Sequence, residues 1–310
     1  MAKVGTTSLD VFPLCLGGNV FGWTADQKQS FAVLDAYAAA GGNFIDTADV
    51  YSAWVPGHTG GESETILGRW MADRGNRDRM IIATKVGMLS DLRGLSAKTI
   101  RAAAEGSLRR LRTDRIDLYY AHVDDAATPP EETLRAFDAL VREGKVRYIA
   151  ASNHTAPRLS EALAVSKRLG LARYVALQPH YNLVHRAEYE DGLDALCARE
   201  GLACFPYYAL ASGFLAGKYR PGATVESARA SKAATYLDDK GLRILAELDA
   251  IAAERRTTVA AVSLAWLRAR PAVVAPIASA RTPEQLADLL PLVSMRLTDD
   301  EVTRLNHASA

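Results

Sequence analysis

The sequence contains few cysteines and almost no net charge, and both shortages exclude classes of protein. Its 310 residues include three cysteines, Cys15, Cys197 and Cys204, at unrelated spacings. Because an odd and scattered set does not build a disulfide framework, we expect a reducing, cytoplasmic location. A formal net charge of +1 indicates neither a nucleic-acid partner nor binding to an anionic membrane surface.

Long hydrophobic runs and several ligand motifs are also absent. No stretch reaches the roughly eighteen apolar residues that a membrane helix needs, and residues 1–12 carry charges and turn formers in place of a signal-peptide core. The six histidines include no H-E-x-x-H pair, so we predict no metal site. The first apolar run is followed by GGNVFG, which does not match G-x-G-x-x-G and argues against a Rossmann fold.

Short apolar runs alternate with longer amphipathic stretches along most of the chain. The runs predict eight buried strands, at 13–18, 43–46, 80–86, 116–122, 146–152, 174–178, 202–207 and 272–277. The stretches predict helices at 26–40, 62–74, 96–112, 130–143, 157–169 and 187–200. Eight apolar strands with intervening helices predict a parallel sheet, and the chain length favours one (β/α)8 TIM barrel domain over residues 1–310.

Local sequence signals also predict helix ends and a long loop. Glycines suited to left-handed helix C-caps precede several strands, at Gly41, Gly75, Gly144, Gly170 and Gly201. Residues 208–237, after the seventh strand, are long enough to predict a lid or binding loop. Residues 298–307 begin with TDDE, a capping-box sequence that predicts a C-terminal helix.

Polar side chains stand where the predicted strands end, and in such a barrel these ends meet at one mouth. Taken singly, each has a common structural explanation in capping, packing or solvent exposure. Because they come from adjacent strands, we expect them to converge on one site. In chain order they are Asp46, Tyr51, Lys85, His122, Ser152, Asn153, Gln178 and Tyr207.

The chemistry of this set can be argued from its residue types. A free phenol has a pKa of about 10, which is poorly matched to donating a proton at neutral pH. A lysine ammonium beside it favours the phenolate and lowers that pKa, and a carboxylate balances the lysine. A histidine can orient a carbonyl oxygen. Such a site polarises a carbonyl but contains no obvious nucleophile, so its reaction needs a hydride from a cofactor.

The chain resembles the aldo-keto reductase superfamily over nearly its whole length, from LCLGGNVFGW to SARTPEQLADLL. The motifs are NFIDTADVY, GGESETILGRW, IIATKVG, RIDLYYAHVDD, VRYIAASN, ALQPHYNL and YYALASGFLAGKY. The resemblance implies a (β/α)8 barrel that reduces an aldehyde or ketone with NADP(H), or oxidises the alcohol. It implies that Tyr51 is the general acid, that Asp46 pairs with the lysine that lowers the phenol pKa, and that His122 orients the carbonyl. The implied catalytic tetrad is Asp46, Tyr51, Lys85 and His122.

The resemblance also implies where the cofactor binds. Ser152, Asn153 and Gln178 would bind the nicotinamide carboxamide, and Tyr207 would stack on the nicotinamide ring. Arg281 matches a position that is commonly basic beside the adenosine 2′-phosphate, which favours NADP(H) over NAD(H). The full set of expected cofactor contacts is Gly18, Asn19, Asp46, Ser152, Asn153, Gln178, Tyr207, Tyr208, Ala209, Leu210, Ser212, Gly213, Lys218, Ser279, Arg281, Gln285 and Asp288.

The segment IASARTPEQL after the eighth strand predicts a capped helix whose free N–H groups face an anion. Thr282 suits the N-cap, Pro283 suits the first helical position, and Gln285 completes a capping box. The family commonly has Pro-Gly where this chain has Ala278 and Ser279.

Trp23 and Trp54 follow the first two strands and predict apolar walls of a substrate pocket, beside Tyr51 and His122. We expect a small carbonyl compound or alcohol as substrate, with no nucleic acid and no membrane as partner. Two alternatives stay open. One is an aldolase that forms a Schiff base through Lys85, and the other is a cofactor-sensing module with little turnover, like the potassium-channel β subunits of the family.

Overall fold

The computed structural model describes all residues, 1–310, and places an eight-stranded parallel sheet at its centre. An N-terminal antiparallel pair, β1 (Ala2–Lys3) and β2 (Asp10–Val11), precedes this sheet. The strands of the sheet are β3 (Cys15–Gly17), β4 (Phe44–Asp46), β5 (Ile81–Val86), β6 (Ile116–Ala121), β7 (Val146–Ser152), β8 (Tyr174–Gln178), β9 (Ala203–Cys204) and β10 (Ile277–Ala278). Their spatial order is β10-β3-β4-β5-β6-β7-β8-β9.

Backbone hydrogen bonds join the two ends of this order. The Cys204 N–H donates to the Ala272 carbonyl at 2.8 Å, and the Val274 N–H donates to the Cys204 carbonyl at 3.1 Å. The Ile277 N–H donates to the Pro206 carbonyl at 2.9 Å. These bonds close the sheet and leave no exposed edge, so the predicted (β/α)8 barrel is confirmed.

The last two barrel strands are shorter than predicted. Residues 202–207 and 272–277 were expected as strands, but β9 ends at Cys204 and β10 begins only at Ile277. Each predicted run contains a proline, Pro206 or Pro276, which has no N–H to donate to a strand ladder. Hydrophobicity therefore predicted the presence of both strands correctly but was wrong about their extent.

Helices cover the outside of the barrel. They are α1 (Gln27–Ala39), α2 (Glu62–Arg74), α3 (Ala97–Leu111), α4 (Pro130–Arg142), α5 (Ala156–Leu169), α6 (Ala187–Glu190), α7 (Leu193–Glu200), α8 (Ala230–Ala234), α9 (Asp239–Arg255), α10 (Val259–Arg268), α11 (Pro283–Leu289) and α12 (Asp299–Ala308). The helix predicted at 187–200 is split at Gly192, whose φ of 95° breaks the helical path. None of these helices is long and apolar enough to cross a membrane.

The predicted capping signals are confirmed. Thr298 and Glu301 form both bonds of a capping box at the start of α12. All five glycines expected at helix ends adopt positive φ: Gly41, Gly75, Gly144, Gly170 and Gly201. The predicted lid at 208–237 is mostly irregular, with a 3-10 segment at Ala211–Ala216 and the short helix α8.

The core has two layers, one between sheet and helices and one inside the barrel. The inner cluster includes Phe44 and Phe205, together with Val4, Leu9 and Val11 from the N-terminal hairpin. That hairpin therefore covers the amino-terminal end of the barrel. The sequence pattern did not predict it, because strands of two residues carry no measurable periodicity. With this end closed, a ligand can enter only at the carboxyl ends of the strands.

Candidate active site

Lys85, near the end of β5, is fully buried and is the centre of a hydrogen-bonded group. Its Nζ donates to Asp46 Oδ2 at 2.6 Å, to the Thr47 carbonyl at 2.8 Å and to the Tyr51 hydroxyl at 2.8 Å. The Tyr51 hydroxyl donates in turn to Asp46 Oδ2 at 3.1 Å. Phenol, ammonium and carboxylate thus contact one another, as the sequence predicted.

The loop after β4 brings the tyrosine back towards the lysine. The Thr47 N–H donates to the Ala83 carbonyl at 2.8 Å, and the Asp49 N–H donates to the Lys85 carbonyl at 3.3 Å. These bonds extend the pairing with β5 beyond the end of β4. The chain then turns, and Tyr51 lies over the end of β5.

The buried phenol of Tyr51 has a raised pKa. Burial and the Asp46 carboxylate raise the pKa of Tyr51 well above its ordinary value. Burial lowers the pKa of Lys85, while Asp46 opposes that change. Burial and Asp46 therefore set the direction of the shift, and the lowering of the phenol pKa by Lys85 stays a prediction. Tyr51 therefore keeps its proton at neutral pH.

His122 follows β6 and lines the same space. Its ring centroid lies 6.2 Å from that of Tyr51, and its buried Nδ1 has no hydrogen-bond partner. Burial, and then the charge of Lys85, lower the pKa of His122 well below its ordinary value. The imidazole is therefore neutral at neutral pH, and one of its nitrogens carries a hydrogen that can be donated to a carbonyl oxygen.

The polar residues at the ends of β7 and β8 are connected to this group. Gln178 Nε2 donates to Asp46 Oδ1 at 2.9 Å, and Ser152 Oγ donates to the Gln178 carbonyl at 2.9 Å. The Tyr207 hydroxyl donates to Asn153 Oδ1 at 2.7 Å. The Gln178 amide keeps its oxygen and one N–H for a ligand.

A cavity of about 740 Å³ extends from these residues to the start of α11, a volume typical of cofactor and ligand sites. Of the predicted residues, Lys85 and Gly18 do not line it. A Cβ on Gly18 would lie 2.9 Å from Ser63 Oγ, and the neighbouring Gly17 lines the cavity instead. The others all line it: Asn19, Trp23, Asp46, Tyr51, Trp54, His122, Ser152, Asn153, Gln178, Tyr207, Tyr208, Ala209, Leu210, Ser212, Gly213, Lys218, Ser279, Arg281, Gln285 and Asp288.

Three cationic side chains at the cavity have no carboxylate partner. They are Lys218, Arg229 and Arg281, and all three line the cavity. Burial, and then the charges of Arg281 and Arg229, lower the pKa of Lys218, as expected where like charges repel one another. An anion bound among them would relieve this repulsion.

Arg229 was not among the predicted residues. It lies in the lid, and its guanidinium carbon is 5.2 Å from the ring centroid of Trp23. The only sequence signal was an arginine within a segment predicted to be a lid. Because an irregular loop of that length has no predictable path, sequence alone could not place Arg229 at the cavity.

The N-terminus of α11 differs from the predicted capping box. Thr282 Oγ1 accepts from the Gln285 N–H at 3.3 Å, so the predicted N-cap is confirmed. The Gln285 side chain, however, accepts from the N–H of Arg281 at 3.0 Å and not from that of Thr282. The predicted capping box is therefore wrong for its second hydrogen bond, from the Thr282 N–H to the Gln285 side chain. An anion bound at this helix end would depend mainly on the side chains of Arg281 and Lys218.

Ser279 closes the junction between β10 and the loop after β3. Its Oγ donates to Asn19 Oδ1 at 2.6 Å. A Cβ on Gly17 would lie 2.5 Å from Ser279 Oγ, so only a glycine at position 17 leaves space for the Ser279 side chain. The two predicted residues Asn19 and Ser279 thus form one wall of the cavity.

Aromatic side chains surround the mouth beside Tyr51. Trp23 and Trp54 pack edge to face with ring centroids 5.5 Å apart, and Tyr51 and Trp54 lie 6.2 Å apart. Trp54 is 48% exposed and Met88 is 46% exposed, although both line the cavity. Met88 was not predicted. The two tryptophans form pocket walls and are not part of the core.

Comparison with known proteins agrees with this geometry. The sequence profile described as the aldo/keto reductase family matches residues 13–310. The chain is 37% identical to the uncharacterized oxidoreductase YrpG of Bacillus subtilis (strain 168), over 97% of this chain and 93% of that protein. It is 31% identical to norsolorinic acid reductase A of Aspergillus parasiticus, over 96% of this chain and 78% of that protein. It is 34% identical to a probable voltage-gated potassium channel subunit beta of Oryza sativa subsp. japonica, over 96% of this chain and 94% of that protein. The chain therefore belongs to the aldo/keto reductase family of oxidoreductases.

Proposed function

We propose that the protein reduces an aldehyde or ketone to an alcohol, or catalyses the reverse reaction, with NADP(H) as cofactor and Tyr51 as general acid and base. The observation that carries the proposal is the position of the Tyr51 hydroxyl. It lies 2.8 Å from Lys85 Nζ and 3.1 Å from Asp46 Oδ2, at the wall of a cavity of cofactor size.

Each member of the tetrad has a distinct part in this proposal. When bound, reduced nicotinamide supplies a hydride to the carbonyl carbon. Tyr51 donates its proton to the carbonyl oxygen, which becomes strongly basic during the reaction. The Lys85 ammonium stabilises the phenolate that remains, and Asp46 keeps that ammonium charged. The neutral His122 ring donates a hydrogen bond that orients the carbonyl. In the oxidative direction the proton returns to Tyr51.

The residues present fit a phosphorylated dinucleotide. The unpaired cations Lys218, Arg229 and Arg281 match the charge of its phosphates, and Arg281 supports NADP(H) over NAD(H). The free amide groups of Gln178 match the hydrogen-bonding pattern of a carboxamide. Gly213, with φ of 95°, lets the start of the lid turn beside Lys218, where a Cβ would lie 3.7 Å from the lysine Cε.

The mouth of the cavity supports a substrate with a flat, apolar part. Trp23 and Trp54 present two aromatic walls close to the hydroxyl of Tyr51, and aromatic surfaces favour planar ligands. The name of the relative norsolorinic acid reductase A is consistent with a reductase. We therefore propose aromatic aldehydes and ketones as the substrate class.

The geometry disfavours an aldolase. Lys85 does not line the cavity, and its ammonium already donates three hydrogen bonds. A Schiff base requires a free amine that a carbonyl carbon can reach, and this lysine offers neither the lone pair nor the access.

The proposal is tested with a panel of aromatic and aliphatic aldehydes and ketones. Turnover of each compound is measured by the absorbance of reduced nicotinamide, with NADPH and NADH in parallel. We expect turnover with NADPH, faster for aromatic carbonyls, and a higher KM for NADH. Tight NADPH binding without turnover of any member would favour a cofactor-sensing module instead. Absence of binding to either cofactor would refute the proposal.

A further inference from the structure

Behind the ring of Tyr207 lies a stack of two histidine rings. Tyr207 lines the cavity, whereas His180 does not, so His180 covers the side of the tyrosine that faces away from the ligand space. The His180 and Tyr207 ring centroids are 5.4 Å apart, with 23° between the ring planes. His185 stacks on His180 at 3.8 Å and 10°. The three rings form one column that ends at the cavity.

The backbone holds this column in place. The Tyr207 N–H donates to the Pro179 carbonyl at 2.9 Å, which fixes the loop after β8 against the loop after β9. Asn182 Nδ2 lies 3.4 Å from His180 Nε2 and donates to the Tyr208 carbonyl at 2.9 Å. His180 therefore has a fixed orientation towards the Tyr207 ring.

His180 is uncharged at neutral pH. Burial, and then the neighbouring His185, lower the pKa of His180 to about 4. The Glu188 carboxylate raises the pKa of His180, and the Lys232 ammonium lowers it, as His185 does. The Lys232 ammonium lies 4.2 Å from the Tyr208 ring centroid. The ring behind Tyr207 is therefore a neutral aromatic surface across the working range of pH.

The histidines do not have the geometry of a metal site, although His180, His185 and Glu188 bring possible ligand atoms within 4.8 Å of one another. The lone pair of an imidazole nitrogen lies in the plane of its ring. Because the two rings are nearly parallel, their lone pairs do not converge on one point about 2 Å from both nitrogens, as a metal ion requires. His185 Nε2 also already lies 2.6 Å from Glu188 Oε2.

We propose that His180 is a positioning residue that holds the Tyr207 ring flat against the nicotinamide, and that an uncharged side chain at this position is needed for binding of the oxidised, positively charged ring. This inference rests on the proposed binding of NADP(H) with the nicotinamide over Tyr207. An aromatic pair contributes about two- to tenfold in an equilibrium beyond the burial of its area. A fixed positive charge behind Tyr207 would repel oxidised nicotinamide more strongly than the neutral reduced ring.

The test compares dissociation constants for NADP⁺ and NADPH, measured by fluorescence titration, together with the melting temperature of each variant. His180→Phe keeps a flat neutral ring, and we expect both constants within about twofold of wild type. His180→Leu removes the ring and should raise both dissociation constants about two- to tenfold. His180→Lys places a charge behind Tyr207 and should raise the dissociation constant for NADP⁺ about tenfold more than that for NADPH. His307→Phe, on the exposed face of α12, is the matched control and should change neither constant.

The outcomes separate this inference from the proposed function. If wild type binds both cofactors but His180→Leu and His180→Lys bind them as wild type does, the inference is wrong and the proposed function stands. If His180→Leu unfolds at the assay temperature, the comparison of His180→Lys with His180→Phe decides, and equal NADP⁺ to NADPH ratios in these two variants overturn the inference. If wild type binds neither cofactor, both the inference and the proposed function fail.

Discussion

The ammonium of Lys85 lies 2.6 Å from Asp46 Oδ2, and the two side chains are 0% and 2% exposed to solvent. Burying two charges costs several kcal/mol per ion, and their attraction does not reliably recover that cost. Such a pair is therefore weak evidence for a role in stability alone. The pair contacts the Tyr51 hydroxyl at the cavity wall, which is the position that the proposed mechanism requires.

Replacing Lys85 with methionine should destabilise the fold, because Asp46 would remain buried without its partner. Loss of one member of a buried pair costs about 3–5 kcal/mol, which urea denaturation would detect. The double variant Lys85→Met/Asp46→Leu should recover most of that loss but no activity. Equal destabilisation in the single and double variants would contradict this account of the pair.

Replacing Tyr51 with phenylalanine removes the proton donor and keeps the ring. We expect carbonyl reduction to fall by about 10²–10⁴-fold, while the dissociation constant for NADPH changes by less than about twofold, because the hydroxyl is only one of many groups lining the cavity. Steady-state kinetics and a fluorescence titration of NADPH measure the two effects separately. Reduction at the wild-type rate would remove Tyr51 from the proposed mechanism.

Arg281 should carry much of the discrimination between NADPH and NADH. Its guanidinium has neither a hydrogen bond nor an ion pair within the protein, and a hydrogen bond to a charged group contributes about 1.5–3 kcal/mol. Arg281→Ala should therefore raise KM for NADPH by about tenfold or more and leave KM for NADH nearly unchanged. Arg296→Ala, at an exposed position away from the cavity, is the control. An equal rise of both KM values in Arg281→Ala would place the 2′-phosphate elsewhere.

The sequence predicted the barrel and its mouth because both depend on local patterns. Apolar runs marked β5 to β8 to within a residue at most ends, since buried parallel strands need continuous apolar residues. The polar residues that end those runs then had to share one edge of the sheet. The contact between Tyr51, Lys85 and Asp46 follows from that topology and not from any single residue.

The errors arose where the outcome depends on packing between distant segments. The N-terminal hairpin covers the barrel through Val4, Leu9 and Val11, although its strands are too short to show a pattern. Arg229 reaches the cavity only through the path of an irregular lid. Burial and the Asp46 carboxylate raise the pKa of Tyr51, and the degree of burial cannot be measured from sequence.

Asp49 provides a test of stability against pH. Both of its carboxyl oxygens are buried without a hydrogen-bond partner. Burial, and then the Glu64 carboxylate, raise the pKa of Asp49 from 3.8 to about 7. Between these two values the native state holds a proton that the unfolded chain has lost. The free energy of unfolding should therefore contain a contribution that is complete below about pH 4 and disappears as pH rises through about 7.

Asp49→Asn removes this titration and keeps the shape of the side chain. The variant should lack the fall in stability between about pH 4 and 7, and at pH 8 it should be more stable than wild type by up to about 4 kcal/mol. Urea denaturation at several pH values measures both effects, with Asp73→Asn on the exposed face of α2 as the matched control. If Asp49→Asn and wild type show parallel profiles, Asp49 is already ionised in the native state. Its unpartnered oxygens would then be bound to water or another donor, and burial would not control its proton.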